Sequence, residues 1–128
     1  MILDSSAIVA VLCREAGYKG LLEQMNSAPI VAIGAPTLFE TAMVLTIKLK
    51  RDGLALVNDF LRESSAVVIP FTEQHSSMAF RAYLRYGKGR HSAALNFGDC
   101  LTYAAAKVSG ELLLYVGNDF DKTDVRSA

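Results

Sequence analysis

Four short runs of apolar residues divide the chain, and a segment with helical periodicity separates each run from the next. The runs are Ile2–Leu3, Ile30–Ile33, Ala66–Ile69 and Leu112–Val116. Strands that alternate with helices favour a parallel sheet, because each connection crosses back over the sheet and covers one of its faces. The pattern therefore predicts a three-layer α/β/α fold with a central, mainly parallel sheet.

The segments between those runs carry apolar residues at helical spacing. They predict helices over about 5–14, 18–26, 36–50 and 99–109, and two more around the stripes Leu54, Val57, Phe60, Leu61 and Ala79, Ala82, Tyr83, Tyr86. Gly110 suits the left-handed position at which helices commonly end. The sequence shows no internal repeat and no linker, so residues 1–128 are expected to form a single domain.

The composition excludes several classes of protein. Hydrophobic residues make up 52% of the chain and charged residues 20%, which is typical of globular proteins and not of disordered ones. An acid at position 4 without a basic segment before it argues against a secretory signal, and no apolar run is long enough for a membrane span. We expect a cytoplasmic protein without membrane contact, with Cys13 and Cys100 as buried thiols.

Four acidic residues come from separate elements of the predicted fold. Asp4 follows the first strand, Glu40 lies one turn into the helix after the second, Asp99 opens its own helix, and Asp119 follows the last strand. Sites in open parallel sheets form outside the carboxyl ends of the strands. The four carboxylates are therefore expected to converge at that edge.

Each acid taken alone also has a structural interpretation. Asp4 could be a helix N-cap, Thr37 and Glu40 could form a capping box, Asp99 is a favourable first-turn acid, and Asp119 could belong to a turn. Four carboxylates in one place, however, repel one another, and partial burial adds to that cost. A divalent cation such as Mg²⁺ or Mn²⁺ reverses the balance, since both prefer oxygen ligands.

Four segments of the chain carry a resemblance to a known family. They are MILDSSAIVAVL, APTLFETAMVL, NFGDCLTYAAAK and LLLYVGNDFDKTDV, and together they span nearly the whole chain. Through them the sequence resembles the PIN-domain ribonucleases, specifically the VapC-type toxins of bacterial toxin–antitoxin pairs. The resemblance implies a PIN-like domain and a Mg²⁺-dependent endoribonuclease, with Mn²⁺ as a substitute, that cleaves cellular RNA such as tRNA or rRNA and thereby inhibits translation.

The same resemblance implies partners and site residues. The partners are a cognate VapB-type antitoxin, whose C-terminal segment occupies the active-site groove, the RNA substrate, and a second copy of the chain in a homodimer. The family's acidic residues fall on Asp4, Glu40, Asp99 and Asp119, of which Asp4, Asp99 and Asp119 are expected to bind the metal. Three further positions match supporting residues or an alternative late acid, namely Ser6, Thr102 and Asp124.

A stretch without acidic residues indicates where RNA could bind. Residues 74–98 contain no Asp or Glu but four basic residues, and aromatic residues are interleaved with them. Lys and Arg neutralise phosphates, and exposed aromatic rings stack on unpaired bases. Lys88 and Arg90, in a loop with flanking glycines, are the predicted RNA contacts. The arginines of this stretch could equally form an ordinary solvated face, and its aromatic rings could belong to the core.

The sequence leaves two other functions open. An aspartyl phosphotransferase would use Asp4 as its nucleophile, but such enzymes usually need a second acid two residues later, where this chain has Ser6. A catalytically silent PIN-like module that binds RNA or protein is the alternative from another class. Retention of all four acids favours the nuclease.

Overall fold

A computed structural model describes the whole chain, residues 1–128. In chain order the elements are β1 (Ile2–Leu3), α1 (Ser5–Leu12), α2 (Tyr18–Ser27), β2 (Ala32–Gly34), α3 (Ala35–Leu49), α4 (Gly53–Ser64), β3 (Val67–Ile69), α5 (Glu73–Tyr86), α6 (Phe97–Ser109) and β4 (Leu113–Leu114). None of the six helices combines the length and the apolar character that a bilayer span requires.

The four strands form one parallel sheet in the order β3-β2-β1-β4. Ile2 in β1 lies opposite Ala32 in β2 on one side and Leu113 in β4 on the other. Because all strands run in the same direction, their carboxyl ends meet at one edge of the sheet. The predicted parallel sheet is confirmed, and Asp4, the residue after β1, lies at the edge formed by the carboxyl ends.

Two hydrophobic cores lie on opposite faces of the sheet. Successive side chains of a strand point to opposite faces, so Ile2 and Leu113 join the core under α5 and α6, whereas Leu3 and Leu114 join the core under α1, α3 and α4. These four side chains are almost completely buried. The predicted three-layer α/β/α architecture is therefore confirmed.

Several details differ from the sequence-based expectation, among them the end of α1 at Leu12 and the shorter strand β4. β2 begins two residues later than predicted and runs on through Gly34, which pairs with Ile69, while Ile30 stays 64% exposed. α6 begins at Phe97 instead of residue 99, because Asn96 supplies the N-cap. Tyr83, predicted on the apolar stripe of α5, is substantially exposed.

Gly53, the first residue of α4, allows α4 to pack tightly on α3. Its backbone N–H donates to Thr46 Oγ1 at 3.0 Å, and a Cβ at this position would overlap the carbonyl oxygen of Ala42. The overlapping atom is backbone and cannot move aside cheaply. A substitution here must therefore push the two helices apart.

We expect Gly53→Ala to lower the free energy of unfolding by about 1–3 kcal/mol, the usual cost of overpacking. Urea denaturation monitored by circular dichroism measures the change. Gly20→Ala in α2 is the matched control, since a Cβ there meets nothing within 4 Å. Equal stability of the two variants would contradict the close contact between α3 and α4.

Candidate active site

Asp4 leaves the end of β1 and caps α1. Its Oδ2 accepts hydrogen bonds from the backbone N–H of Ser6 at 3.0 Å and from the Ser6 hydroxyl at 2.6 Å. Ser6 Oγ in turn accepts from the backbone N–H of Val116, just after β4, at 3.0 Å. Ser6 thus connects the buried Asp4 carboxylate to the end of the neighbouring strand.

Asp99 lies in the first turn of α6 and forms a capping box with Asn96. The Asn96 backbone N–H donates to Asp99 Oδ2 at 3.0 Å, and the Asp99 backbone N–H donates to Asn96 Oδ1 at 2.8 Å. Asp99 is half-buried. The capping interpretation of Asp99 therefore describes the geometry correctly, and one of its carboxylate oxygens makes no hydrogen bond.

Glu40 is held differently from the way the capping-box interpretation predicts. The N-cap of α3 is Gly34, so Thr37 lies inside the helix and does not cap it. Glu40 Oε1 instead accepts a hydrogen bond from Ser5 Oγ at 2.5 Å. Its Oε2 occupies the space that a Cβ on Gly98 would fill. Glu40 therefore lies against the first turn of α6, next to the residue that precedes Asp99.

Thr102 lies beneath this region and bonds to α3. Its hydroxyl is buried and lies 3.1 Å from the hydroxyl of Thr37, which is also buried. The pair joins the two helices that carry Glu40 and Asp99. Thr102 thus supports the spacing of these helices through Thr37.

The three late acids have different surroundings. Asp119 is exposed and takes part in no hydrogen bond or ion pair, whereas Asp121 accepts from the Tyr115 hydroxyl at 2.7 Å. Asp124 accepts from the Tyr103 hydroxyl at 2.5 Å, and two cationic groups also contact it, Lys107 at 3.2 Å and Arg85 at 3.4 Å. The Tyr103 hydrogen bond and these cations hold the pKa of Asp124 below its usual range.

Burial is the main cause that raises the pKa of Asp99, to about 6. The hydrogen bond from the Asn96 backbone acts in the opposite direction, and the negative charges of Asp119, Asp4 and Glu40 raise the value further. None of these four carboxylates forms an ion pair with a Lys, an Arg or the N-terminus. The structure thus brings the four acids into one electrostatic neighbourhood without a compensating cation.

The donors in this cluster fit a hard divalent cation. All of them are carboxylate oxygens, the ligands that Mg²⁺ and Mn²⁺ prefer. In their present orientations no three Asp, Glu, His or Cys side chains surround a single point at ligand distance. Closure around an ion would therefore require carboxylates to rotate, and the exposed, unbonded Asp119 has that freedom.

The two predicted RNA contacts differ in how far their side chains are engaged. Lys88 borders a groove of about 870 Å³ between α5 and α6, lined also by Asn96 and Phe97, and it forms no ion pair. Arg90 donates from Nε to the Leu84 carbonyl oxygen at 3.0 Å, and its guanidinium lies 5.6 Å from the centre of the Tyr83 ring. Lys88 is thus free to meet a phosphate, whereas Arg90 is partly engaged.

Three residues in the site were not singled out from the sequence. Asn96 had a local signal, since an Asn three residues before an acid fits a capping box. Gly98 and Ser5 had none, because both act on Glu40, which is far away in the chain. Contacts of this kind appear only once the helices are packed.

Comparison with known proteins places the chain among relatives of one family. A sequence profile described as the PIN domain matches residues 1–126. A VapC ribonuclease of Mycobacterium bovis is 42% identical over 126 residues, which cover 98% of this chain and 91% of the relative.

Two solved structures share the fold. The Mycobacterium tuberculosis toxin VapC20, described as cleaving the sarcin–ricin loop, superposes with a TM-score of 0.77 at 19% identity and covers 99% of this chain and 97% of its own. A toxin–antitoxin complex from Klebsiella pneumoniae superposes with a TM-score of 0.72 at 17% identity, covering 96% and 92% respectively.

The raised pKa of Asp99 predicts how charge removal affects stability. A carboxyl that binds its proton more tightly in the folded chain stabilises the fold at low pH, and this stability is lost as the pH rises through about 6. We therefore expect Asp99→Asn, which keeps an acceptor for the Asn96 N–H, to melt several degrees above the wild type at pH 7.5 in EDTA. The difference should shrink towards pH 4.

Asp52→Asn is the matched control for this measurement. Asp52 also caps a helix, accepting from the Ala55 N–H at 3.1 Å, but it lies outside the acidic cluster. Differential scanning fluorimetry across pH 4 to 8 compares the two variants. An Asp99→Asn protein that is less stable than the wild type at pH 7.5 would show that the charged cap outweighs the cost of burying the charge and the repulsion from its neighbours.

Proposed function

The chain belongs to the PIN-domain family and to its VapC ribonucleases, and on this premise we propose that it is a metal-dependent endoribonuclease toxin. The observation that carries the proposal is the cluster of Asp4, Glu40, Asp99 and Asp119, which has no cation among its partners. Such a cluster is costly for the fold alone, because like charges in a partly buried site repel. It becomes favourable when a divalent ion binds.

Asp4, Asp99 and Asp119 are the proposed ligands of Mg²⁺, with Mn²⁺ as a substitute. A bound ion would polarise the scissile phosphate and lower the pKa of a water molecule. Asp4 is pre-oriented by Ser6, and Asp99 by the backbone of Asn96. Asp119 is unbonded and can complete the set, whereas Asp124 is engaged by Tyr103 and two cations.

Glu40 is the proposed residue for the attacking water. Its Oε1 is occupied by the Ser5 hydroxyl, so Oε2 remains to accept a hydrogen bond from the water and to hold it in line with the phosphorus. Thr102 has a supporting role, since it fixes α6 against α3 through Thr37. In this account Asp4, Asp99 and Asp119 bind the ion, and Glu40 shares that work or orients the water.

The proposed substrate is cellular RNA, tRNA or rRNA, whose cleavage inhibits translation. One relative is named a VapC ribonuclease, and a structural neighbour is described as a toxin that cleaves the sarcin–ricin loop. Likeness to a toxin–antitoxin complex supports a VapB-type antitoxin as the partner that restrains the enzyme. A homodimer and a cytoplasmic location complete the proposal, and residues 1–128 act in it as a single PIN domain.

The central expectation is cleavage of RNA that depends on the metal and on Asp119. The wild type should cleave RNA with Mg²⁺ or Mn²⁺ and stop in EDTA. Asp119→Asn should lower the rate at least about a hundredfold, whereas Asp121→Asn, two residues later, should leave it near wild type because Asp121 bonds to Tyr115. Gel analysis of a labelled RNA measures both rates.

Two outcomes of that assay would redirect the proposal. Full activity of Asp119→Asn would remove this residue from the metal site. Absence of cleavage by the wild type, together with undiminished RNA binding, would favour the silent binding module instead of the nuclease.

The ammonium group of Lys88, which forms no ion pair, predicts an electrostatic contribution to RNA binding. Lys88→Ala should weaken binding and reduce the slope of log affinity against log salt by about one, since one phosphate contact is lost. Lys19→Ala, on exposed α2, is the control. Fluorescence anisotropy over a range of salt concentrations, with the Asp99→Asn protein as background to prevent cleavage, gives the slope. An unchanged slope would place the RNA path elsewhere.

A further inference from the structure

The Glu40 carboxylate meets residues from two other helices, a hydrogen-bond donor at Oε1 and an open space at Oε2. Ser5, the first residue of α1, donates its hydroxyl to Oε1 at 2.5 Å. On the other side, Oε2 lies where a Cβ on Gly98, in the first turn of α6, would be. One side chain of α3 is thus confined between α1 and α6.

The two serines that follow Asp4 donate hydrogen bonds to two different acids. Ser6 donates to Asp4 within the same helix start, whereas Ser5 reaches across to Glu40, 35 residues away. Charge-assisted hydrogen bonds of this kind are among the stronger ones. The Ser5 bond therefore restrains the rotation of a long, otherwise flexible side chain.

The backbone conformation at position 98 does not require glycine. Its φ lies outside the left-handed region, and glycine in a helix is less stable than alanine. The only close neighbour of a Cβ at this position would be the Glu40 carboxylate, followed by Asn96 Oδ1 at 3.5 Å. The missing side chain thus makes room for Glu40 next to Asp99, where the positive end of the α6 dipole also favours a carboxylate.

We propose that Ser5 and Gly98 are positioning residues that aim Oε2 of Glu40 into the acidic cluster. The inference rests on the proposed function, because it assigns these two residues to the same metal-dependent site. Neither residue touches the reacting atoms. Without the Ser5 hydroxyl or the space at Gly98, the Glu40 carboxylate turns away, and the ion loses a carboxylate that contacts it directly or through water.

The experiment measures Mn²⁺ affinity by isothermal titration calorimetry, which does not depend on catalysis, and the cleavage rate at saturating Mn²⁺. Ser5→Ala and Gly98→Ala should each weaken Mn²⁺ binding about tenfold and slow cleavage by a similar factor, the usual size of such effects. The melting temperature of Gly98→Ala should stay near wild type, because the new Cβ displaces the end of the Glu40 side chain and not the backbone of a neighbouring helix. Ser5→Thr, which keeps the hydroxyl, should restore both values.

A double-mutant cycle separates positioning from a general structural effect. With Glu40→Ala as background, Gly98→Ala should leave the Mn²⁺ affinity unchanged and should raise the melting temperature, since alanine is then accommodated and favours the helix. Gly20→Ala, with open space around its Cβ, and Ser27→Ala, whose hydroxyl bonds only to the Gln24 carbonyl, are the matched controls.

The outcomes distinguish this inference from the function on which it rests. If the wild type binds Mn²⁺ and cleaves RNA while Gly98→Ala and Ser5→Ala equal it, the positioning role is overturned and the nuclease stands. The role is also overturned if Gly98→Ala weakens Mn²⁺ binding equally with and without Glu40. A wild type that neither binds Mn²⁺ nor cleaves RNA overturns both proposals.

Discussion

Repulsion among carboxylates at one edge of the sheet is the constraint to which the surrounding structure responds. Parallel strands end at the same edge, where Asp4 follows β1 directly and Asp119 lies in the segment after the adjacent β4. Helices α3 and α6 add Glu40 and Asp99, and the pKa of Asp99 rises partly because of the other three charges. The fold thus concentrates negative charge at one place, and a bound cation would offset that charge.

Neutral groups, and not cations, hold these acids in place. Hydroxyls of Ser5 and Ser6 and the backbone N–H of Asn96 bond to Glu40, Asp4 and Asp99 respectively. Elsewhere the same chain neutralises a carboxylate in the ordinary way, as the ion pairs of Asp124 with Lys107 and Arg85 show. Hydrogen bonds from neutral donors orient the acids and leave their charge available to an ion.

Most of the fold could be predicted from the sequence because its signals are local. Apolar runs and helical stripes indicated every strand and helix, and the parallel order followed from their alternation. The errors arose where a turn or cap set the boundary, as with Asn96 before α6 and Gly34 at the end of β2. Periodicity alone does not register a cap that lies outside the helix.

The candidate site could be predicted only in part, for a physical reason. The positions of Asp4 and Asp119 follow from strand ends, and that of Asp99 from a helix start. The contact between Ser5 and Glu40 depends on how α1 and α3 pack, and the partners of Asp124 depend on where the C-terminal segment runs. Such long-range contacts have no signature in a single sequence.

The most direct test of the central claim is the anomalous scattering of a crystal grown or soaked with Mn²⁺. The account predicts one strong peak at coordination distance from carboxylate oxygens of Asp4, Asp99 and Asp119, with those side chains rotated towards it. A crystal at millimolar Mn²⁺ with no peak in this cluster, or with its only peak elsewhere on the chain, would contradict the assignment of these acids to a metal site.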